Sequence, residues 1–276
     1  MEVTQGRPTI EMSTLDVPRI SIVTPCLNSE STLERTMASV WSQAYPNLQH
    51  VIVDGGSTDG TLSILGRYPG AEVVSEPDDG LGDALNKGLR RTSGNIIGWL
   101  NADDLYEPGA LLRVARLFQE TERAVWLSGS CKIIDADDSE IRSGVTLYKS
   151  ALLRRYSYSS LLFNNYICAP STFFTRTAYE RIGEFDTQYK YAMDYDFWLR
   201  VGRLGPPIRE LAPLAAFRMA PGTLSMSGFE TQFDEHATIA RRHAHGSERI
   251  FSEANALFSR LIVAIYHAMA WRSRSR

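Results

Sequence analysis

The sequence predicts an α/β fold: a mostly parallel central sheet flanked by helices, followed by a less regular second half. Three observations carry this. Short β-branched runs alternate with helix-spaced segments through about the first half of the chain. Those runs are apolar on both faces, as strands covered by helices are. Polar and acidic residues (Asn28, Asp54, Asp78, Asp79, Asp103, Asp104) recur just after them, where the carboxyl ends of parallel strands meet ligands.

Taken in order, Ile20-Ser21-Ile22-Val23-Thr24-Pro25 is short, β-branched and stopped by a proline, which reads as a buried strand. Residues 29–43 follow with helical spacing, Leu33, Met37, Val40 and Trp41 forming one apolar stripe. Residues 50–54 are a second strand, ending in the turn Gly55-Gly56-Ser57-Thr58-Asp59-Gly60. A helix is expected over 61–68, a strand over 71–75, a helix over 82–92 and a strand over 95–100. Residues 108–120 read as a helix with Pro108 in its first turn, and 124–134 as a strand. Beyond that the pattern loosens. Helices are expected over 152–165, 191–204, 228–245 and 250–272, a short strand over 172–174, and one or two strands within 206–219.

Bulk properties exclude several classes. Apolar residues at 43% and charged residues at 22% of 276 describe a globular chain able to bury a core. A formal net charge of −3 argues against broad nucleic-acid binding. Cys26, Cys131 and Cys168 are widely spaced and form neither a disulfide framework nor a zinc site, so they read as reduced thiols of a cytoplasmic protein. Residues 1–18 lack an apolar signal core and read as a flexible leader.

The chemistry begins at Asn101-Ala102-Asp103-Asp104. Two carboxylates at a strand's carboxyl end make a hard, oxygen-rich site suited to Mg²⁺ or Mn²⁺. Such a cation neutralises a departing nucleoside diphosphate. An Asp pair alone would as readily cap the next helix; its place after a buried strand, among other acidic strand ends, favours the metal. Asp54, before its glycine turn, is placed to accept a hydrogen bond from a nucleobase or ribose. Asp83, in Gly82-Asp83-Ala84-Leu85-Asn86-Lys87-Gly88, lies near the same rim and is expected to face the donor.

Five segments in order carry a family resemblance: Thr24-Pro25-Cys26-Leu27-Asn28, Asp54-Gly55-Gly56-Ser57-Thr58-Asp59-Gly60, Asp79-Gly80-Leu81-Gly82-Asp83-Ala84-Leu85-Asn86-Lys87-Gly88, Asn101-Ala102-Asp103-Asp104 and Met193-Asp194-Tyr195-Asp196-Phe197-Trp198-Leu199-Arg200. Over residues 19–204 the chain resembles glycosyltransferase family 2: the GT-A fold, Rossmann-like, of the inverting type typical of bacterial polysaccharide and glycolipid assembly. The resemblance implies a nucleotide-sugar donor (UDP-, GDP- or dTDP-linked), a glycan or lipid-linked acceptor, and Mg²⁺ or Mn²⁺. It implies that Pro25 and Asn28 line the nucleotide pocket, that Asp54 contacts the base and that Asp83 faces the nucleotide. It places Asp103 against ribose and metal, and Asp104 on the metal through the diphosphate as the firmer ligand. It matches Asp194 to the general base, which an acceptor hydroxyl requires. Met193 departs from the Glu often found there, and Asp196 competes for the role. In these terms 19–135 is the nucleotide-sugar half, 136–245 the acceptor half and 246–276 a helical basic tail.

Other residues carry two readings. Arg218 reaches a diphosphate oxygen or is a surface charge. Trp198, Phe173, Phe174 and Tyr195 are expected in the core rather than stacked on sugars. Residues 257–271 form a broad apolar stripe ending in Trp271-Arg272-Ser273-Arg274-Ser275-Arg276. This stretch is too short for a comfortable span. It suits peripheral contact with an anionic membrane, at the inner face of the cell membrane, or packing on the core or a second subunit of a homo-oligomer. Two rival functions are a nucleotidyltransferase, which would want a glycine- and basic-rich loop after the first strand, and a catalytically silent sugar-nucleotide-binding module.

Overall fold

The computed structural model describes residues 17–219 and 228–274, side chains at 229, 261, 262 and 264–274 excepted. Residues 1–16 of the expected leader and the Pro221-Gly222-Thr223 loop lie outside the described residues.

One twisted sheet organises the chain. The strands are β1 (Ile20–Cys26), β2 (Leu48–Asp54), β3 (Glu72–Ser75), β4 (Ile96–Trp99), β5 (Leu105–Tyr106), β6 (Trp126–Ile134), β7 (Glu140–Ile141), β8 (Thr172–Thr175) and β9 (Ile208–Arg218). Their order is β3-β2-β1-β4-β8-β6-β9-β5, with β7 paired to β6. β3, β2, β1 and β4 are parallel neighbours; β8 runs antiparallel between β4 and β6; β9 rejoins β6 in parallel. β5, β7 and β8 alone oppose the common direction among the described strands, so the sheet is mostly parallel as expected.

The helices are α1 (Leu33–Trp41), α2 (Thr61–Leu65), α3 (Leu81–Arg91), α4 (Ala110–Glu120), α5 (Ser143–Arg154), α6 (Tyr158–Phe163), α7 (Arg176–Ile182), α8 (Met193–Gly202), α9 (Phe229–His243) and α10 (Arg249–Arg274). α3 lies close on β1 and β2 because Gly88 has no side chain: a Cβ there would meet Val23 Cγ1 at 2.3 Å. On the far side, a stack of indoles runs from Trp99 through Trp198 to Trp126, with centroids 5.7 and 6.4 Å apart. Trp198, Phe173, Phe174 and Tyr195 are buried core residues, as their sequence context predicts.

Three expectations about elements need correction. The single helix over 152–165 is two. Ser157 interrupts it with a reciprocal cap: Ser160 N–H donates to Ser157 Oγ at 3.0 Å, and Ser157 N–H donates to Ser160 Oγ at 3.1 Å. Pro108 lies outside α4, which starts after Gly109 in a left-handed conformation with φ 73°. α5 and α7 extend helix into 143–151 and 176–182, where no helix was expected.

The first half of α10 packs on the domain. Asn255 Nδ2 donates to the Phe163 carbonyl at 2.8 Å, the Phe163 and Phe258 rings lie 5.4 Å apart, and Arg241 pairs with Glu253 at 2.8 Å. Leu257 faces outward and is exposed. Among the described residues no helix is long and apolar enough to cross a membrane.

Candidate active site

A cavity of about 590 Å³ opens along the carboxyl ends of β1 and β4 and is closed on its far side by α8. Pro25, Leu27 and Asn28 line one end, Trp99, Asn101 and Asp103 the floor, and Tyr191, Met193 and Asp194 the opposite wall. Parallel strands deliver the first two groups side by side, Cys26 lying in register with Asp54 and Val23 with Trp99.

The loops after β1 and β2 are stitched together. Asn28 sits in the left-handed region at φ 48°, which asparagine tolerates better than most residues. Its Oδ1 accepts the Thr58 N–H at 2.9 Å, and its own N–H donates to Ser57 Oγ at 2.8 Å. Ser29 and Glu30 continue the seam: their N–H groups donate to Thr61 Oγ1 at 2.8 Å and Asp59 Oδ2 at 3.1 Å. Pro25 and Asn28 therefore stand where expected, on the cavity rim.

Asp54 does not reach the cavity. It is fully buried, and its carboxylate accepts the Gly56 and Ser57 N–H groups at 3.2 Å and the Ser75 hydroxyl at 2.6 Å. Its work is to fold the glycine turn beneath the rim. Asp83 is likewise absent from the lining. It pairs with Lys87 at 3.0 Å and accepts the Asp79 N–H at 3.2 Å, interactions that hold its carboxyl below the usual range. It braces the β3–α3 loop. The side chain this loop does present to the cavity is Asp78.

The Asp103–Asp104 pair divides inside and out. Asp103 lines the cavity. Asp104 is fully buried behind it, Oδ1 accepting the Arg218 N–H at 2.9 Å and Oδ2 accepting Asn101 Nδ2 at 3.1 Å. Both Asp104 oxygens are thus engaged in the wall, while Asp103 opens on the cavity. Burial raises the pKa of both acids, and at Asp104 the neighbouring Asp103 charge raises it further. A cation in the cavity would relieve both effects. Among the described residues no three His, Cys, Asp or Glu side chains converge to hold an ion unaided.

Arg218 is not a surface charge: it lines the cavity close to Asp103. It is buried, its Nε donating to the Asp103 carbonyl at 2.8 Å and its other nitrogens to the Asp135 carbonyl and the Asp138 carboxylate. It fastens the Asp103 backbone to the β6–β7 turn.

On the opposite wall, Asp194 is partly buried in the first turn of α8. Burial pushes its carboxyl up to about 6, against the opposing pull of the Tyr195 N–H, the Lys149 charge and the Asn165 side chain. Asp196, two residues on, is committed elsewhere: it pairs with Arg200 at 2.8 Å and His243 at 2.7 Å and lines no part of the cavity. Burial opposes its ionisation, but the His243 hydrogen bond and the Arg200 charge prevail and hold it low. Glu235 of α9 positions the start of α8 by accepting the Lys190, Tyr191 and Ala192 N–H groups at 2.9, 2.8 and 2.8 Å. Nothing in the sequence signals that clamp, since its partners stand more than forty residues away. Lys149 and Asn165, which act on Asp194 from 45 and 29 residues away, also escaped the sequence reading.

Residues 21–183 match the profile of Glycosyl transferase family 2. A PGL/p-HBAD biosynthesis glycosyltransferase of Mycobacterium tuberculosis is 31% identical over 192 residues, 66% of this chain and 69% of that protein. The chondroitin synthase of Escherichia coli is 30% identical over 202 residues, 71% of this chain but 28% of that protein, so the chain spans under a third of that relative's length. Among solved structures, Staphylococcus aureus TarS 1–349 in complex with UDP-GlcNAc superposes with a TM-score of 0.68 at 18% identity, covering 87% of this chain and 71% of that one. The mannosyltransferase PcManGT of Pyrobaculum calidifontis, in complex with GDP-Man and Mn2+, gives 0.64 at 21%, covering 95% and 79%. With the profile match spanning more than half its length and the GT-A architecture around it, the chain belongs to glycosyltransferase family 2.

Proposed function

We propose that the chain moves a sugar from a nucleoside-diphosphate donor to an acceptor hydroxyl by a single, inverting displacement, with Asp103 as metal ligand and Asp194 as general base. The observation that carries this is one cavity with Asp103 on the sheet side and Asp194 on the α8 side. The donor lies along the strand ends, its diphosphate toward Asp103. The acceptor enters between the sheet and α8.

Asp103 would hold a hard divalent cation such as Mg²⁺ or Mn²⁺, which prefers carboxylate oxygen, beside the donor's diphosphate. Bound there, the cation neutralises charge on the departing diphosphate. Asn101 and Arg218 keep Asp103 aimed into the cavity, the first through Asp104 and the second through the Asp103 carbonyl. Asp194 takes the proton from the acceptor hydroxyl as the new glycosidic bond forms. A pKa of about 6 leaves it ionised at neutral pH yet basic enough to act. Among the described residues Asp194 is the single carboxylate that the second half contributes to the cavity, which favours one displacement over a covalent route. The nucleotide-sugar complexes of TarS and PcManGT support the donor class. The names of the relatives, for chondroitin synthesis and PGL/p-HBAD biosynthesis, support a glycan or lipid-linked acceptor.

A screen of UDP-, GDP- and dTDP-sugars with Mn²⁺ or Mg²⁺, followed by proton NMR of the product, tests this reading. An α-linked donor must yield a β-linked product. A retained configuration, or no transfer from any of these donors, contradicts it.

A further inference from the structure

Three carboxylates line the cavity among the described residues: Asp78, Asp103 and Asp194. The proposed chemistry uses the last two and leaves Asp78 without a task. Its setting is specific. Asp78 Oδ1 accepts the Gly80 N–H at 2.8 Å, which fixes the side chain. Oδ2 hangs over the backbone of Gly55, 2.4 Å from where a Cβ on that residue would stand, with Leu27 Cδ1 at 3.5 Å from the same point. The carboxylate occupies a space that exists only because residue 55 has no side chain. No hydrogen bond among the described residues reaches Oδ2, and Asp54 next door is buried and engaged.

The sheet supplies the ruler. Gly55 follows β2 and Asp103 follows β4, with β1 between them. Two strand spacings amount to roughly 10 Å. A diphosphate held at Asp103 puts the adjoining ribose over the end of β1, near Pro25 and Asn28. The base, next along, arrives over Gly55 and beside Asp78. An ionised carboxylate can only accept hydrogen bonds. It pairs with a ring N–H flanked by carbonyl, as uracil and thymine present at N3 and guanine at N1. It repels the bare ring nitrogen of cytosine or adenine.

We propose that Asp78 reads the base of the donor, selecting uridine, thymidine or guanosine diphosphate sugars over cytidine or adenosine ones. This rests on the donor reading above and adds the residue that sets donor class.

Calorimetric titration of UDP, GDP, CDP and ADP into the full chain with Mn²⁺ tests it. The unaltered chain should bind UDP or GDP at least about tenfold more tightly than CDP and ADP. Asp78→Ala should weaken the preferred nucleotide roughly 10- to 100-fold, the range for a hydrogen bond to a charged group, and leave CDP nearly unchanged. Asp78→Asn keeps an acceptor for the Gly80 N–H and turns a donor toward the base, so the ratio of CDP to UDP affinity should rise even if total stability falls. In Asp78→Ala/Gly55→Asp the new side chain grows into the vacated space, and the preference should return. Unchanged UDP and GDP affinity in Asp78→Ala, or CDP binding as tight as UDP in the unaltered chain, overturns the assignment to Asp78 alone. No binding of any of the four nucleotides overturns the donor reading with it.

Discussion

At the parallel end of the sheet acids crowd the strand termini, and three of them, Asp54, Asp83 and Asp104, are bonded to the chain's own N–H groups and side chains. Asp78 and Asp103 face the cavity. In the second half two acids lie on one helix, and the division repeats: Asp196 is locked between Arg200 and His243 while Asp194 faces the cavity. In both regions acids close in sequence have opposite duties. Beside Asp103 and Asp194, the neighbours Asp104 and Asp196 have both oxygens engaged. If that contrast is right, neutralising an inward acid should damage chemistry or ligand binding, and neutralising its neighbour should damage the fold.

The largest effect is expected on the acceptor side. Asp194→Asn should lower turnover by about 10²–10⁴, the range for loss of a general base, while nucleoside diphosphate affinity stays within about twofold. Asp196→Asn should do the reverse, costing about 1.5–3 kcal/mol of stability through weakened bonds to Arg200 and His243, with turnover per folded molecule nearly kept. Turnover assays beside thermal melts would expose a swap of these outcomes.

pH sharpens the same pair. Asp194 has its carboxyl raised to about 6, so it gains a proton as pH falls through 6. The logarithm of kcat/KM should then drop with unit slope below that point, and Asp194→Asn should show no such limb. The stability sign is opposite. A raised folded-state pKa means the fold favours the protonated form, a contribution present at low pH and lost as pH rises through about 6. Above pH 6, Asp194→Asn should therefore melt no lower than the unaltered chain, and a lowered Tm would contradict the burial argument.

Smaller effects test the scaffold. Gly88→Ala drives a methyl against Val23 and should cost about 1–3 kcal/mol by overpacking, read in denaturant titration. Asp83→Asn removes a half-exposed pair with Lys87 and should cost only about 0.2–1 kcal/mol, with nucleotide affinity unchanged. A large loss of nucleotide binding there would return Asp83 to the donor site.

The contrast also explains what the sequence made legible. Strand and helix periodicity located β1, β2 and β4 and the acidic rim, because the burial that holds a parallel sheet is written in local apolar runs. The ordered motifs brought out Asp103 and Asp194. What they left open was direction. Whether Asp54 or Asp78 faces the cavity depends on a missing Cβ at residue 55 and a hydroxyl at Ser75, twenty-one residues from Asp54. Whether Asp103 or Asp104 does so depends on the Arg218 N–H, which arrives from β9 at the other end of the chain. The acceptor half was harder to read because its supports are long-range: Glu235 under α8, and Lys149 and Asn165 beside Asp194.

The inside–outside division is tested most directly by calorimetric titration of UDP and GDP, with and without Mn²⁺, into the unaltered chain, Asp103→Asn and Asp104→Asn. In the unaltered chain and in Asp104→Asn, Mn²⁺ should tighten nucleotide binding by a similar factor, Asp104→Asn differing chiefly in a lower Tm. In Asp103→Asn the Mn²⁺ enhancement should vanish. Enhancement retained in Asp103→Asn and lost in Asp104→Asn would contradict the account.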